Sequence, residues 1–462
     1  MKIAMFVSEA VPFAKTGGLA DVGAALPLAL EYCGCQVIVI MPKYKCVEKS
    51  KVKIKRLSED ISYAIIGREI KVYFIENDAY FKREGLYVDR KGDYADNLER
   101  FSFFCRRSLD LLKEIDFCPD ILHLHDWQAS LAAVYLKSVY NTQSFYKRIK
   151  CLLTIHNIGY QGIFAQEEFA KLKLDKKLFD INGLEFYNKI NLLKGGVIFS
   201  DFINTVSPTY AKEIQTKEYG FGLEGLLGER KDVLSGILNG IDYSVWDPDK
   251  DEFIFQNFSE VCIEFKTPNK EDLQRTVGLP LNKDLPVLGI VSRLAEQKGF
   301  DIFVQSLDEL AKLDLQLVIL GTGDAKYHQL LKAIAKKYPQ KISLHLEFND
   351  PLAHKIYAGS DIFLMPSRYE PCGLGQLISL RYGTIPLVYK TGGLADTINK
   401  RNGFVFDKYS AEELQSIIKK ALAVFKNKKK WNQLIENAMD CNFSWKASAD
   451  KYIALYAKAK ER

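Results

Sequence analysis

The chain has 462 residues, of which 64 are Lys or Arg and 58 Asp or Glu, for a formal charge of +6. With 47% hydrophobic and 26% charged residues it is an ordinary globular composition, too long for a single core, and it excludes a disordered or fibrous chain. The mild charge names no nucleic-acid partner, and no apolar run approaches the roughly 20 residues of a membrane span. The opening MKIAMFVSEA carries one Lys before a short apolar run that breaks at Ser8-Glu9. It reads as a first β-strand and not a signal peptide, so a cytoplasmic location is expected. The nine Cys are odd in number and irregular in spacing, with no CxxC, which predicts free thiols and no zinc site. The basic run Lys426 to Lys430 reads as a solvated face or turn beyond a helix.

Along the first half, short apolar runs predict strands at Ile3–Val7, Gln36–Met41, Lys71–Ile75, Ile121–Leu124, Leu152–Ile155 and Phe202–Thr205, with helical periodicity at Ala20–Tyr32 and Asn97–Lys113. The runs IVIM and LLTI lack strict alternation, as strands buried on both faces do in a parallel sheet. NGIDYSVWDPDKDE, from Asn239 to Glu252, interrupts the pattern and marks a domain boundary. The second half repeats the scheme, with strands at Val287–Val291, Gln316–Leu320, Ile342–Leu346, Ile362–Met365 and Ile385–Tyr389. Helices are expected at Phe300–Lys312, Tyr327–Lys337, Leu374–Tyr382 and Ala411–Phe425. Near the end, Trp445, Ala449, Tyr452, Ile453 and Tyr456 form an apolar stripe on one last helix that has to dock on something. The fold class is α/β, two Rossmann-like doubly wound domains facing across a cleft. The expected divisions are 1–240, 241–440, and 441–462 for the helix returning toward the first domain.

Such sheets bind ligands beyond the carboxyl ends of their strands, and the residues with chemistry lie there. The heptapeptide KTGGLAD follows the first strand as Lys15 to Asp21 and recurs, letter for letter, as Lys390 to Asp396 after TIPLVY. Paired glycines admit a ligand close to the backbone, and the amides opening the next helix favour a phosphate. One such turn is ordinary punctuation; two copies, each with Lys before and Asp after, point to a shared task. A nicotinamide-binding fingerprint is absent, because Gly17 and Gly18 stand without GxGxxG and the second strand ends Met41-Pro42-Lys43. Arg293 ends GIVSR, and Lys298 precedes Gly299 and a helix, so two cations and a helix start meet at one strand exit, suited to a diphosphate. Glu370 follows IFLMP in SRYEPCGLGQ and is a carboxylate available to sugar hydroxyls or to developing positive charge. His156 ends LLTIH, and Asp126 follows LHLH. His123 and His125 share a strand face without a carboxylate pattern and are read as structural, so no metal is expected.

With these residues assembled, the chain resembles the bacterial and plant ADP-glucose-type glycogen and starch synthases, retaining glycosyltransferases of the two-domain GT-B fold. The motifs KTGGLADV, GDYADNLERF, HLHDWQ, TIHNIGYQG, ILNGIDYSVWDP, VSRLAEQKG, PSRYEPCGLGQ and TGGLADT follow the family's order over essentially the whole length. KTGGLADV with EPCGL is the specific part; VSRL and TGGL recur across many GT-B transferases. The resemblance implies that Lys15, Gly17, Gly18 and Asp21 contact the sugar nucleotide and that Arg293 and Lys298 hold the departing ADP diphosphate. It places Asp126, Asn239 and His156 near the transferred glucose, Glu370 on its hydroxyls, and Cys372, Gly373 and Leu374 along its pocket. The TGGL turn, with Thr391 and Gly392, is placed on the donor side and Tyr94 and Trp127 on the acceptor side. Two departures are visible: Lys390 stands where many members have Arg, and Gly375 where Thr is frequent.

The activity so implied is transfer of glucose from ADP-glucose to the non-reducing end of an α-1,4-glucan, glycogen or a maltooligosaccharide, with retention of configuration. Fixed cations stabilise the leaving group, so no cofactor or metal is expected. A front-face route supported by the His156 carbonyl and a covalent intermediate both fit that set of residues. The rivals are a GT-B relative using UDP-glucose or another acceptor, a phosphorylase with a Lys-bound pyridoxal phosphate, and a catalytically silent glucan-binding homologue. Retention of Lys15, His156, Arg293, Lys298 and Glu370 together counts against the last. No nucleic-acid or membrane partner is implied, and nothing in the sequence sets the oligomeric state.

Overall fold

The computed structural model describes residues 1–89 and 92–461. The chain divides into two compact units, Met1–Asn239 with Trp445–Arg462, and Gly240–Ser444.

The first unit is built on a nine-stranded sheet in the order Leu234–Gly236, Phe202–Thr205, Lys150–Ile155, Ile121–His125, Lys2–Phe6, Gln36–Pro42, Ile70–Ile75, Ile61–Ile66, Lys55–Arg56. The first seven run parallel; the last two are an antiparallel extension at one edge. The central strands are buried along their length, which is why they read as unbroken apolar runs. The chain winds outward from Lys2–Phe6 to one side and then returns to pair Ile121–His125 on the other, so the topological switch lies between these two strands.

The second unit carries a six-stranded, wholly parallel sheet in the order Ile342–His345, Gln316–Leu320, Val287–Val291, Ile362–Met365, Ile385–Tyr389, Phe404–Phe406. Its switch falls between Val287–Val291 and Ile362–Met365, the strands that deliver Arg293 with Lys298 and Glu370.

Among the segments that depart from expectation, two are instructive. Ile61–Ile66 joins the first sheet antiparallel, and its half-exposed tail hid it from a search for buried runs. The basic run Lys426 to Lys430 is solvated as expected, yet Lys428 opens a further helix, Lys428–Met439. Cations suit the start of a helix poorly, and the Asn427 side chain, which accepts from the Lys430 amide, caps it instead.

The last helix, Trp445–Glu461, belongs to the first unit although it follows the whole of the second in sequence. Trp445, Ala449, Tyr452 and Tyr456 are buried and Ile453 half-buried. The Ser448 hydroxyl donates to the Leu238 carbonyl, Asn204 donates to the Tyr452 hydroxyl at 3.1 Å, and the Tyr456 hydroxyl lies 2.8 Å from His123 Nδ1. Among the described residues no helix is long and apolar enough to cross a membrane.

Since His123 is fully buried, Tyr456→Phe strands its Nδ1 without a partner, and a loss of about 1–3 kcal/mol is expected. Urea denaturation reads this directly, and an unmoved midpoint would mean the hydroxyl contributes nothing.

Candidate active site

At the switch of the first unit the exit of Lys2–Phe6 leads through Ser8 and Glu9 to the first KTGGLAD. Glu9 is buried, and its carboxylate accepts from the Thr16 amide, from the Thr16 hydroxyl at 2.6 Å, from the Gly17 amide at 3.3 Å and from the Tyr87 hydroxyl at 2.7 Å. It anchors the turn to the strand end. Sequence reasoning passed over Glu9, although its position just beyond a strand exit was the available signal. Lys15 reaches Asp21 at 2.7 Å on the surface, and Gly18 opens the helix Gly18–Tyr32.

A Cβ added at Gly17 or Gly18 would meet nothing within 4 Å, and neither residue needs a positive φ. The fold itself therefore does not require glycine there; the open space suits a ligand pressed against the backbone. The second copy is placed otherwise. Thr391, Gly392 and Gly393 are buried, and Gly392 has φ +42. A Cβ at Gly392 would come within 2.0 Å of the Glu370 carbonyl oxygen, and one at Gly393 within 2.1 Å of that of Cys372. The Gly393 amide donates to the Glu370 carbonyl at 3.0 Å, while Lys390 pairs with Asp407 outside the copy. The two heptapeptides are alike in letters only: one turn is open, and the other is packed beneath the Glu370 loop.

That loop sits at the switch of the second unit. Glu370, 5% exposed, receives Lys298 Nζ at 2.6 Å and the Ser367 hydroxyl at 3.0 Å on the same oxygen. Gly299, at φ +79, follows Lys298 and starts the helix Phe300–Leu310; a Cβ there would strike the Pro366 carbonyl at 2.0 Å, so the two strand exits are interlocked. Arg293 is exposed and donates to Gln297 at 2.9 Å. Cys372 is buried, Gly373 takes φ +74, and Leu374 precedes the helix Gly375–Arg381. The Gln376 amide nitrogen ties the loop by donating to the carbonyls of Cys372 and Gly373 at 2.9 and 3.0 Å.

Returning to the first unit, Asp126 and His156 are in direct contact. Asp126 has φ +56, a left-handed backbone at the start of the helix Asp126–Ser138, and its carboxylate accepts from the His156 amide at 2.7 Å. Burial pushes the Asp126 carboxyl up to about 7 against the pull of the His156 and Asn157 amides. Burial likewise drives His156 down to about 3, so the imidazole is neutral at physiological pH. Behind it, His125 Nδ1 lies 2.9 Å from His156 Nε2, and His123 is bonded to Thr154 at 2.7 Å as well as to Tyr456. Both inner histidines are fully buried. Asn239 is buried with its side-chain oxygen unpartnered.

Trp127 packs edge-on against Phe101, with centroids 4.9 Å apart, and Gly162 makes room for its ring. The guanidinium groups of Arg83 and Arg100 lie over the Tyr94 ring at 4.8 and 4.9 Å, and its hydroxyl accepts from the Gly85 amide. Each unit thus collects its own set at its own switch: Lys15, Gly17, Gly18, Asp21, Asp126 and His156 in the first, Arg293, Lys298 and Glu370 in the second.

Comparison with known proteins bears on both units. Residues 2–229 match the starch synthase catalytic domain and residues 274–440 the glycosyl transferases group 1. The catalytic domain of starch synthase IV from Arabidopsis thaliana, solved bound to ADP and acarbose, superposes with a TM-score of 0.90 at 32% identity, covering 100% of this chain and 99% of that one. A sucrose-phosphate synthase from Thermosynechococcus elongatus, at 16% identity and TM-score 0.63 over 99% of this chain and 98% of that one, shares the fold. The chain is accordingly a glycosyltransferase with the two-domain α/β architecture of the GT-B class. Glycogen synthases of Geotalea uraniireducens and Thermotoga maritima are 47% and 46% identical to it, over 100% and 99% of this chain and 99% of each relative. It belongs to the glycogen synthase family.

The contrast between the two turns is testable. Gly393→Ala is expected to lower Tm by several degrees, because its Cβ collides with backbone, whereas Gly17→Ala leaves Tm within about a degree and lowers turnover. Equal losses of Tm would refute the distinction.

A second expectation concerns pH. The folded Asp126 carboxyl titrates near 7 and its ordinary value is 3.8, so the native state holds the extra proton between them and stability declines as pH rises through that window. Asp126→Asn, neutral throughout, should flatten that part of a plot of Tm against pH; an unchanged slope would show that the carboxylate is well solvated.

Proposed function

We propose that the protein transfers glucose from ADP-glucose to the non-reducing end of an α-1,4-glucan, retaining the α configuration. The observation that carries this reading is the Lys298–Glu370 pair at the switch of the second unit, in a chain whose full length matches glycogen synthases. The Arabidopsis neighbour solved with ADP and acarbose supports a nucleotide sugar as donor and a glucan as acceptor.

In this mechanism Lys298 and Arg293 offer fixed positive charge to the diphosphate as the glycosidic bond lengthens, and the start of the helix Phe300–Leu310 adds oriented amides. Glu370 has a double task. Its carboxylate holds the Lys298 ammonium in place before the donor arrives, and it accepts from sugar hydroxyls once Lys298 turns to phosphate. Ser367, on the same oxygen, keeps the carboxylate aimed through that exchange. In the first unit the open Gly17-Gly18 turn presents backbone to the donor, with Lys15 beside it, and neutral His156 with Asp126 faces the transferred sugar. Tyr94 and Trp127 are assigned to the acceptor glucan. Because charge is met by side chains and amides, the reaction is proposed to need no metal.

The test is release of nucleotide from ADP-glucose or UDP-glucose in the presence of glycogen. Faster release from ADP-glucose, undiminished by EDTA, is expected; equal or faster turnover of UDP-glucose would overturn the donor assignment. Loss of activity in chelator, restored by magnesium, would overturn the metal-free step.

Substitution tests the site itself. Glu370→Gln and Lys298→Ala should each reduce kcat by roughly a hundredfold or more while the fold survives, the scale of one preorganised transition-state contact, with Lys298→Ala also lowering Tm because it leaves the buried Glu370 carboxylate without its cation. Near-normal turnover in either variant would place the chemistry elsewhere.

A further inference from the structure

The histidines behind Asp126 are not equivalent. His123 is satisfied at both ring nitrogens, by Thr154 and by Tyr456. His125 is fully buried, uses Nδ1 toward His156 Nε2 at 2.9 Å, and leaves Nε2 with no partner. His156, half-buried, has no partner at Nδ1 among the described residues. One hydrogen bond joins two imidazoles, so one ring must donate and the other accept, and the choice decides where the remaining proton sits.

If His156 Nε2 were the donor, His125 would carry its proton on Nε2, a buried N–H with no acceptor. If His125 Nδ1 donates, Nε2 is left only as a bare lone pair. Orphaned buried N–H groups are rare, and an unmade donor bond biases such a choice by roughly five- to a hundredfold. The first arrangement loses.

We infer that His125 is a positioning residue that sets the tautomer of His156, so that His156 turns an Nδ1–H donor, and not a lone pair, toward the sugar it meets. The inference rests on the proposed glucosyl transfer only for what that donor meets; the tautomer is a property of the protein alone. Both rings are kept neutral by burial, so neither can supply the donor by taking up a second proton near pH 7. Such a donor complements hydroxyl oxygens and not ammonium or amide hydrogens, which fits a sugar.

Two readouts decide the point. In protein labelled with ¹⁵N-histidine, long-range ¹H–¹⁵N correlation should show His156, assigned by its loss in His156→Gln, protonated at Nδ1 and bare at Nε2. Protonation at Nε2 overturns the inference whether or not the protein transfers glucose. His125→Leu removes the donor at similar volume, whereas His125→Asn keeps an N–H near the position of Nδ1. The Leu variant should lose the tautomer preference and at least roughly tenfold in kcat, with Asn recovering most of both. Equal kcat in the two variants, or an unaltered tautomer in the Leu variant, would show that His125 only fills space. Absence of glucosyl transfer from any donor would sink the proposed function while leaving the tautomer result standing.

Discussion

Parallel strands cannot be joined by tight turns; each must be regained by a crossover. That constraint makes all the loops that leave the carboxyl ends of a sheet emerge along one edge, and it governs both units here. At the two switch points neighbouring loops part in opposite directions, and each holds a buried carboxylate: Glu9 behind an open glycine turn in the first unit, Glu370 under a lysine in the second. Each would be costly to bury alone; Glu9 is met by four donors, and Glu370 by a lysine and a serine hydroxyl. The sheet supplies the place, and the carboxylate organises it.

The repeated heptapeptide shows how little of a residue's role lies in its own letters. In the first copy Lys15 pairs within the copy and the glycines face open space. In the second the Lys pairs with Asp407, and the glycines are squeezed against the carbonyls of Glu370 and Cys372. In one case the missing Cβ leaves open space beside the backbone, and in the other it admits backbone against backbone. Both are consequences of the missing Cβ, which explains why one sequence suits two settings.

The parallel cores were legible because burial on both faces leaves continuous apolar runs, as in Val287–Val291 and Ile362–Met365. Short or one-sided strands such as Lys55–Arg56 and Leu234–Gly236 carry no such signature, since two or three residues cannot establish a period. Within the site, residues announced by type and strand-end position could be read: Lys298, Glu370, His156. What escaped were relations. That Glu9 would gather Thr16, Gly17 and Tyr87 depends on a fold that brings Tyr87 back from 78 positions away. That Asp126 would adopt a left-handed backbone, and that His125 would reach His156 across neighbouring strands 31 residues apart in sequence, are consequences of register that no local pattern encodes.

The closing helix also has a bearing on how the protein is made. Tyr452 and Tyr456 are fully buried in the first unit, under the sheet that carries His123, yet a ribosome delivers them only after all of Gly240–Ser444 has been synthesised. The second unit is contiguous and has its complete set of strands before the chain is finished. The first keeps the seat of that helix, beside Asn204 and His123, uncovered until Trp445–Glu461 follows. Completion of the two units therefore runs against their order in the sequence: every strand and helix of the later one is synthesised before the earlier one has its last helix.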